Sequence, residues 1–285
     1  MGEDPAEVLA AGRAFADLSA WRKITVSGGD AFEWLNDLVS ADLSGLSAKQ
    51  ARHALLLSRT GAVRAAFTVT VFRGTLLLIQ DPVQPSIADL LAPYVLSSDV
   101  VVEDRSSDIS LIAMPGKEEP PEVSGAEPSG PSCLGSRGVD LICAAQDHDR
   151  VFASLAREFA PVSDDDIERF RISERIPRLG VDVQDGDLPQ EALLSGSVSR
   201  NKGCFVGQEA VAKLDNLGRP RRLLVPFATE DRIAAGDPVF ADGDEVGRVT
   251  SVARLGDETR GLARVFRESR KDGLVTRNGV TISVR

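Results

Sequence analysis

The feature that most limits how this chain can fold is a change of texture near Pro220. Before it, apolar runs with the period of strands alternate with stretches that space their apolar residues as helices do. After it only short β runs remain, Leu223-Leu224-Val225, Pro238-Val239-Phe240, Val246 to Val252 and Thr281-Ile282-Ser283-Val284, broken by glycine and aspartate. Alternating strands and helices imply an α+β layer, and a string of short strands implies a small antiparallel barrel or sandwich. A domain boundary is expected near Pro220.

Within the first part, Ile24-Thr25-Val26 reads as a strand and Ser27-Gly28-Gly29-Asp30 turns it into a helix bearing Phe32, Leu35 and Leu38, with Asp30 as N-cap. Strands are expected at Ala54–Leu57, Ala66–Phe72 and Leu76–Ile79, the last two joined by a hairpin turn at Arg73-Gly74. A helix from about Ser86 to Leu96 follows Asp81-Pro82, then strands at Val100–Val102 and Ile109–Ile112. Residues 115–138 are rich in Pro, Gly, Ser and Glu, too polar to bury and too broken to ladder, so a flexible surface insertion is expected. Val139–Cys143 resumes the strand pattern and a helix is expected over about 148–159. Ser163-Asp164-Asp165-Asp166 has capping-box spacing and opens a helix that ends before Pro177; its three aspartates suit a helix N-terminus better than a metal site.

Hydrophobic residues at 42% and charged residues at 27% over 285 positions describe an ordinary globular protein, long enough for two or three domains. The net charge of −10 repels polyanions, so no direct nucleic-acid partner is expected. Met1-Gly2-Glu3-Asp4-Pro5 lacks the basic head and apolar run of a signal peptide, and the longest apolar runs fall far short of the ~20 residues that span a bilayer. The expectation is a cytoplasmic protein with no membrane partner. Cys133, Cys143, Cys204, His53 and His148 have none of the spacings of a metal site, so none is expected.

The most unusual stretch is Arg200 to Glu209, where Gly203 and Gly207 bracket Cys204 and Lys202 precedes the thiol by two residues. Two readings stand. Glycines let a chain bend around a ligand, while a nearby lysine and a helix starting at Gln208 both favour a thiolate, which would make Cys204 reactive. Alternatively the glycines make a turn, Cys204 and Phe205 plug the core, and Lys202 is merely solvated. The spacing is not that of a phosphate-binding loop.

The run Lys202-Gly203-Cys204-Phe205-Val206-Gly207-Gln208-Glu209 resembles the signature of the YgfZ family of folate-binding, iron–sulfur cluster assembly and insertion proteins, relatives of the glycine-cleavage T-protein. Arg171-Ile172 through Pro177 and Gly180, and Leu188-Pro189-Gln190-Glu191-Ala192, fit the same family. The resemblance implies an α+β, three-domain cloverleaf of the T-protein type: two α+β domains and a small C-terminal antiparallel β-barrel around a funnel for tetrahydrofolate or another reduced folate. Residues 1–110 would form the folate-binding domain with 160–220 contributing, 111–160 a second α+β domain, 161–220 a helix and signature segment, and 221–285 the barrel. Glu191 matches the family's pterin-binding acid; the other reading is a surface glutamate. Arg219, Arg221 and Arg222 are placed to hold folate's glutamate tail, or form a solvated basic turn.

The resemblance breaks at one point. T-proteins carry a catalytic acid in an early hairpin, and the matching stretch Gly61-Ala62-Val63-Arg64-Ala65-Ala66-Phe67 has no carboxylate, unless Asp81 substitutes for it. Loss of general acid–base help typically costs about 10²–10⁴-fold. The expectation is therefore a folate-binding accessory protein without aminomethyltransferase activity. It would support iron–sulfur clusters in client enzymes, including ones that modify tRNA, with Cys204 as its candidate reactive thiol. A folate-dependent aminomethyltransferase and a non-catalytic scaffold are the alternatives.

Overall fold

The computed structural model describes residues 3–271, 273–276 and 279–284; Met1, Gly2, Asp272, Arg277, Asn278 and Arg285, which belong to the N-terminal and barrel segments read above, lie outside the described residues. In chain order the elements are α1 (Pro5–Ala10), β1 (Ala14–Asp17), β2 (Arg22–Ser27), α2 (Ala31–Leu38), β3 (Ala51–Leu57), β4 (Val63–Phe72), β5 (Thr75–Gln80), α3 (Ile87–Leu91), β6 (Val101–Asp104), β7 (Ile109–Met114), β8 (Ala126–Ser129) and β9 (Val139–Ala144). Then follow α4 (His148–Leu155), β10 (Ala160–Val162), α5 (Asp164–Ser173), α6 (Gln208–Leu217), β11 (Arg222–Thr229), β12 (Pro238–Ala241), β13 (Asp244–Leu255), β14 (Glu258–Phe266), β15 (Leu274–Thr276) and β16 (Thr281–Val284).

These elements form two five-stranded sheets and a closed barrel. One sheet has the order β3-β4-β5-β2-β6; the other runs β10-β1-β7-β9-β8, so the early strand β1 pairs with β7 and β10 rather than with its neighbour β2. The barrel closes β11-β14-β13-β12-β15-β16, which removes the free edges that short strands would otherwise expose. Each sheet and the barrel has its own apolar core: Leu35, Leu56 and Leu78 in the first, Leu111, Ile142 and Phe170 under the second, and Val225, Phe227 and Val265 in the barrel.

Local sequence explains the element ends. Ser163 accepts from the Asp166 backbone N–H while the Asp166 carboxylate accepts from Ser163 N, the capping box that opens α5. Asp30 stands at the N-cap of α2, but its carboxylate accepts from Asp99 N at 2.8 Å rather than from its own helix. The helix read over 86–96 is shorter, ending at Leu91 and continuing as a 3₁₀ turn over Ala92–Tyr94, because Pro93 removes a helical donor. The largest departure is at 115–138. Ala126–Ser129 ladders onto β9 as an edge strand, where Pro128 faces no partner that needs its missing N–H, and Leu134 is buried. No helix of the described residues is long and apolar enough to cross a membrane.

Candidate active site

A cavity of about 610 Å³ is lined by parts of β3, β4 and α5, the turn after β5, residues 133–137 and residues 176–179. Its apolar walls include Trp21, Phe67 and Phe170. Stretches far apart in sequence contribute, from Asp17–Trp21 near the start to Leu193–Ser197 beyond α5. His53 on β3 donates from Nε2 to the Gly135 carbonyl at 2.6 Å, which leaves Nδ1 to accept from Thr68 Oγ1 at 3.0 Å. Burial pushes the His53 pKa down, so the ring is a neutral strut between β3 and the 133–137 segment. Cys133 in the same segment has its thiol pushed well up, first by burial and then by the Asp140 carboxylate, and stays protonated.

The carboxylates around the cavity differ in what holds them. Asp81 is buried; it accepts from Arg178 Nε at 2.6 Å and from Val83 N at 3.0 Å. The β4–β5 ladder ends at Thr68 opposite Ile79, and Asp81 opens the turn that follows β5, where the Ala66 N–H donates to Gln84 Oε1 at 2.9 Å. Asp81 and Ala66 both line the cavity. Glu168 is taken up by Arg171 and Arg178, and Asp17 by His148 and the Ser19 N–H. Glu174, just beyond α5, is different: among the described residues its carboxylate has no hydrogen-bond or ion-pair partner. Arg137 and Arg175, also in the cavity lining and exposed, likewise have no carboxylate partner among the described residues. Arg175 sits at φ 61, in the left-handed region, which turns the chain sharply after the helix.

None of Glu191, Arg219, Arg221, Arg222 or Cys204 lines this cavity. The Glu191 carboxylate accepts from the backbone N–H groups of Leu188, Arg221 and Arg222, and its carbonyl accepts from Leu224 N, so it ties the start of the barrel to the preceding turn. Arg221 and Arg222 lie over the Phe266 ring, 6.0 and 5.1 Å from its centroid, and Arg219 is exposed. Lys202 is not simply solvated, nor is it turned on Cys204. Its ammonium donates to the carbonyls of Asn36, Val39 and Ala41 and so caps the C-terminus of α2.

Cys204 and Gly203 are exposed, whereas Phe205 alone of the pair read as core plugs is buried, against Leu55, Leu57 and Val63. Val206 packs against the core beneath α2. Gly207 precedes α6 at φ 83, where a Cβ would come within 2.4 Å of the Ser58 carbonyl oxygen, so only glycine fits. Gln208 opens α6, and the exposed Glu209 places negative charge in its first turn. The signature thus docks one loop against α2 and the β3–β4 hairpin.

The comparisons with known proteins bear on this arrangement. The solved structure of the glycine cleavage system aminomethyltransferase T from Bartonella henselae superposes with a TM-score of 0.83 over 99% of this chain and 88% of that one, at 19% identity. The chain has the T-protein fold. That fold is the three-domain cloverleaf with a closed antiparallel barrel that the resemblance implied. Residues 6–118 match the family model described as the GCVT N-terminal domain. An aminomethyltransferase of Lysinibacillus sphaericus is 24% identical over 89% of this chain and 78% of its own length. One of Listeria monocytogenes is 25% identical over 82% and 73%.

These relatives overturn the expectation that the chain lacks aminomethyltransferase activity: proteins carrying that name align along most of its length. The expected inactivity rested on the absence of a carboxylate from Gly61–Phe67, yet Asp81, in the turn after β5, lines the cavity together with Ala66. Glu174, Arg137 and Arg175, which line the cavity, are marked by no motif in the sequence. The break at Asp81-Pro82 was visible, but its place in one cavity wall with Ala66 follows only from the fold.

Proposed function

We propose that this protein is a reduced-folate-dependent one-carbon transferase of the aminomethyltransferase type, acting in the cavity bordered by Asp81 and Glu174. The observation that carries this reading is Asp81, a buried carboxylate that lines the same cavity as Ala66 on the T-protein fold. Its Arg178 and Val83 contacts fix it in place, as a proton-handling group must be fixed to help a transfer.

The residues present fit tetrahydrofolate. A volume of about 610 Å³ is in the range of small-molecule pockets, and apolar walls suit a pterin and its benzoyl ring. A pterin presents a ring N–H beside an exocyclic amine, and the uncommitted Glu174 carboxylate can accept both. Arg137 and Arg175 can hold the carboxylates of the glutamate tail without giving up an existing ion pair. When bound, the reduced folate supplies the nitrogen that accepts the one-carbon group.

Calorimetric titration with tetrahydrofolate tests the site, comparing Glu174→Gln with Glu191→Gln, the acid to which the family resemblance points. Glu174→Gln is expected to weaken binding by about 1–3 kcal/mol, the cost of leaving donors unpaired, while Glu191→Gln leaves affinity unchanged. The reverse order would move the pterin to Glu191, with Arg219, Arg221 and Arg222 as its tail site. Absence of binding by the unaltered protein at millimolar ligand would remove the folate reading.

A second reading concerns what the chemistry serves. The exposed Cys204, at the centre of the signature, favours a cytoplasmic role in maintaining iron–sulfur clusters of client proteins, tRNA-modifying enzymes among them. A cluster needs about four thiolates, so Cys204 would act by redox or transient exchange rather than as a cluster holder. Replacing it with serine should lower client activity in cells and leave folate affinity intact; unchanged client activity would dismiss this role.

A further inference from the structure

A groove of about 630 Å³, distinct from the cavity, is walled by α2 and the turn over residues 93–98. Asp30, Glu33, Trp34 and Asp37 fall at i, i+3, i+4 and i+7 and so share one face of α2 toward this groove. The Trp34 indole N–H donates to the Tyr94 carbonyl at 3.1 Å, which fixes the ring as part of the wall. Leu96 is 84% exposed, and Tyr94, also in the lining, is exposed too. The lining holds three carboxylates against one guanidinium, that of Arg59. An apolar strip bordered by an excess of carboxylates, of which Asp30 also accepts from Asp99 N and Asp37 also faces Lys202, is the surface that an amphipathic cationic helix complements. An anionic ligand such as a folate is repelled here, and so is a second copy of this chain, with its net charge of −10.

We propose that this groove docks a basic amphipathic helix of a partner protein. Its apolar residues seat on Trp34, Tyr94 and Leu96, and its lysines or arginines face Asp30, Glu33 and Asp37. The surface adjoins the signature loop, because Lys202 caps the carbonyl end of α2 and Gly207 packs on Ser58, next to Arg59. A partner held there is brought close to the loop that carries the exposed Cys204.

The chain has two tryptophans, Trp21 in the cavity lining and Trp34 in the groove, so their indole ¹⁵N–¹H signals report on the two sites separately. The probe is a synthetic helix of leucine and lysine at amphipathic spacing, with a leucine and glutamate helix as its opposite. Saturable movement of the Trp34 signal, with Trp21 unmoved, is the expected result. Affinity should fall about tenfold or more between about 0.05 and about 0.5 M salt, as paired surface charges are screened. The double variant Glu33→Lys with Asp37→Lys should show a similar loss, and so should Leu96→Asp, which leaves the helix untouched. Glu118→Lys with Glu119→Lys, exposed acids elsewhere, should bind as the unaltered protein does. An unmoved Trp34 signal, equal loss in both double variants, or equal binding of the acidic helix would overturn the proposal. So would a dimer of this chain that the lysine helix competes away.

Discussion

Asp140 shows how much one buried group can shape the stability of this protein. It is 1% exposed, accepting from Ser132 Oγ at 2.6 Å and Cys133 N at 2.8 Å, and burial raises its pKa to about 6 despite those bonds. A folded-state pKa above the ordinary carboxylate value means that the folded protein keeps a proton the unfolded chain has lost. That contribution is complete below about pH 4 and is lost as pH rises through about 6, a difference of ~3 kcal/mol for a shift of about two units. Asp140→Asn cannot titrate. The unfolding free energy of the unaltered protein relative to this variant should therefore fall by ~3 kcal/mol between about pH 3 and about pH 7, read from urea midpoints; a flat difference would show that Asp140 is not desolvated. Nothing in the sequence around Asp140 announces this, because the group that shares its space, Cys133, is brought there by the turn after β8.

At the scale of elements, the signature is a clamp before it is anything else. Lys202 is half-buried and satisfies three carbonyls at the end of α2, and burial depresses its pKa while Asp42 and Asp37 oppose the shift. Lys202→Met would leave those carbonyls without a donor and should cost about 1–3 kcal/mol in chemical denaturation. Arg200→Ala, which removes a mostly exposed pair with Asp215, should change stability by no more than about 0.5 kcal/mol. Equal effects would mean that the Lys202 contacts are incidental. The eight-residue match was plain in the sequence, but the direction of the lysine was not. Proximity along the chain suggested Cys204 as its partner, whereas the loop turns it toward a helix more than 160 positions earlier.

The same contrast holds for the whole molecule. The texture change at Pro220 foretold the barrel, the alternation before it foretold the α+β sheets, and Ser163–Asp166 marked the start of α5, because each depends on residues close in sequence. The cavity depends on segments far apart. Arg171 on α5 bonds Asp182 at 2.7 Å and Ser251 of β13 at 2.8 Å, locking the cavity wall to the barrel, and no local pattern encodes that meeting. For the same reason an acid at this cavity looked absent when only Gly61–Phe67 was read. Asp81 comes from the turn after the next strand and is held by Arg178, about a hundred residues away.

One-carbon transfer itself is the decisive assay: the protein is mixed with tetrahydrofolate and an aminomethyl thioether donor, and one-carbon folate and released ammonia are followed over time. The unaltered protein is expected to form both in equal amounts. Asp81→Asn should do so about 10²–10⁴-fold more slowly while binding tetrahydrofolate as tightly. A protein that binds tetrahydrofolate yet forms no one-carbon folate, or an Asp81→Asn variant with an undiminished rate, would contradict it.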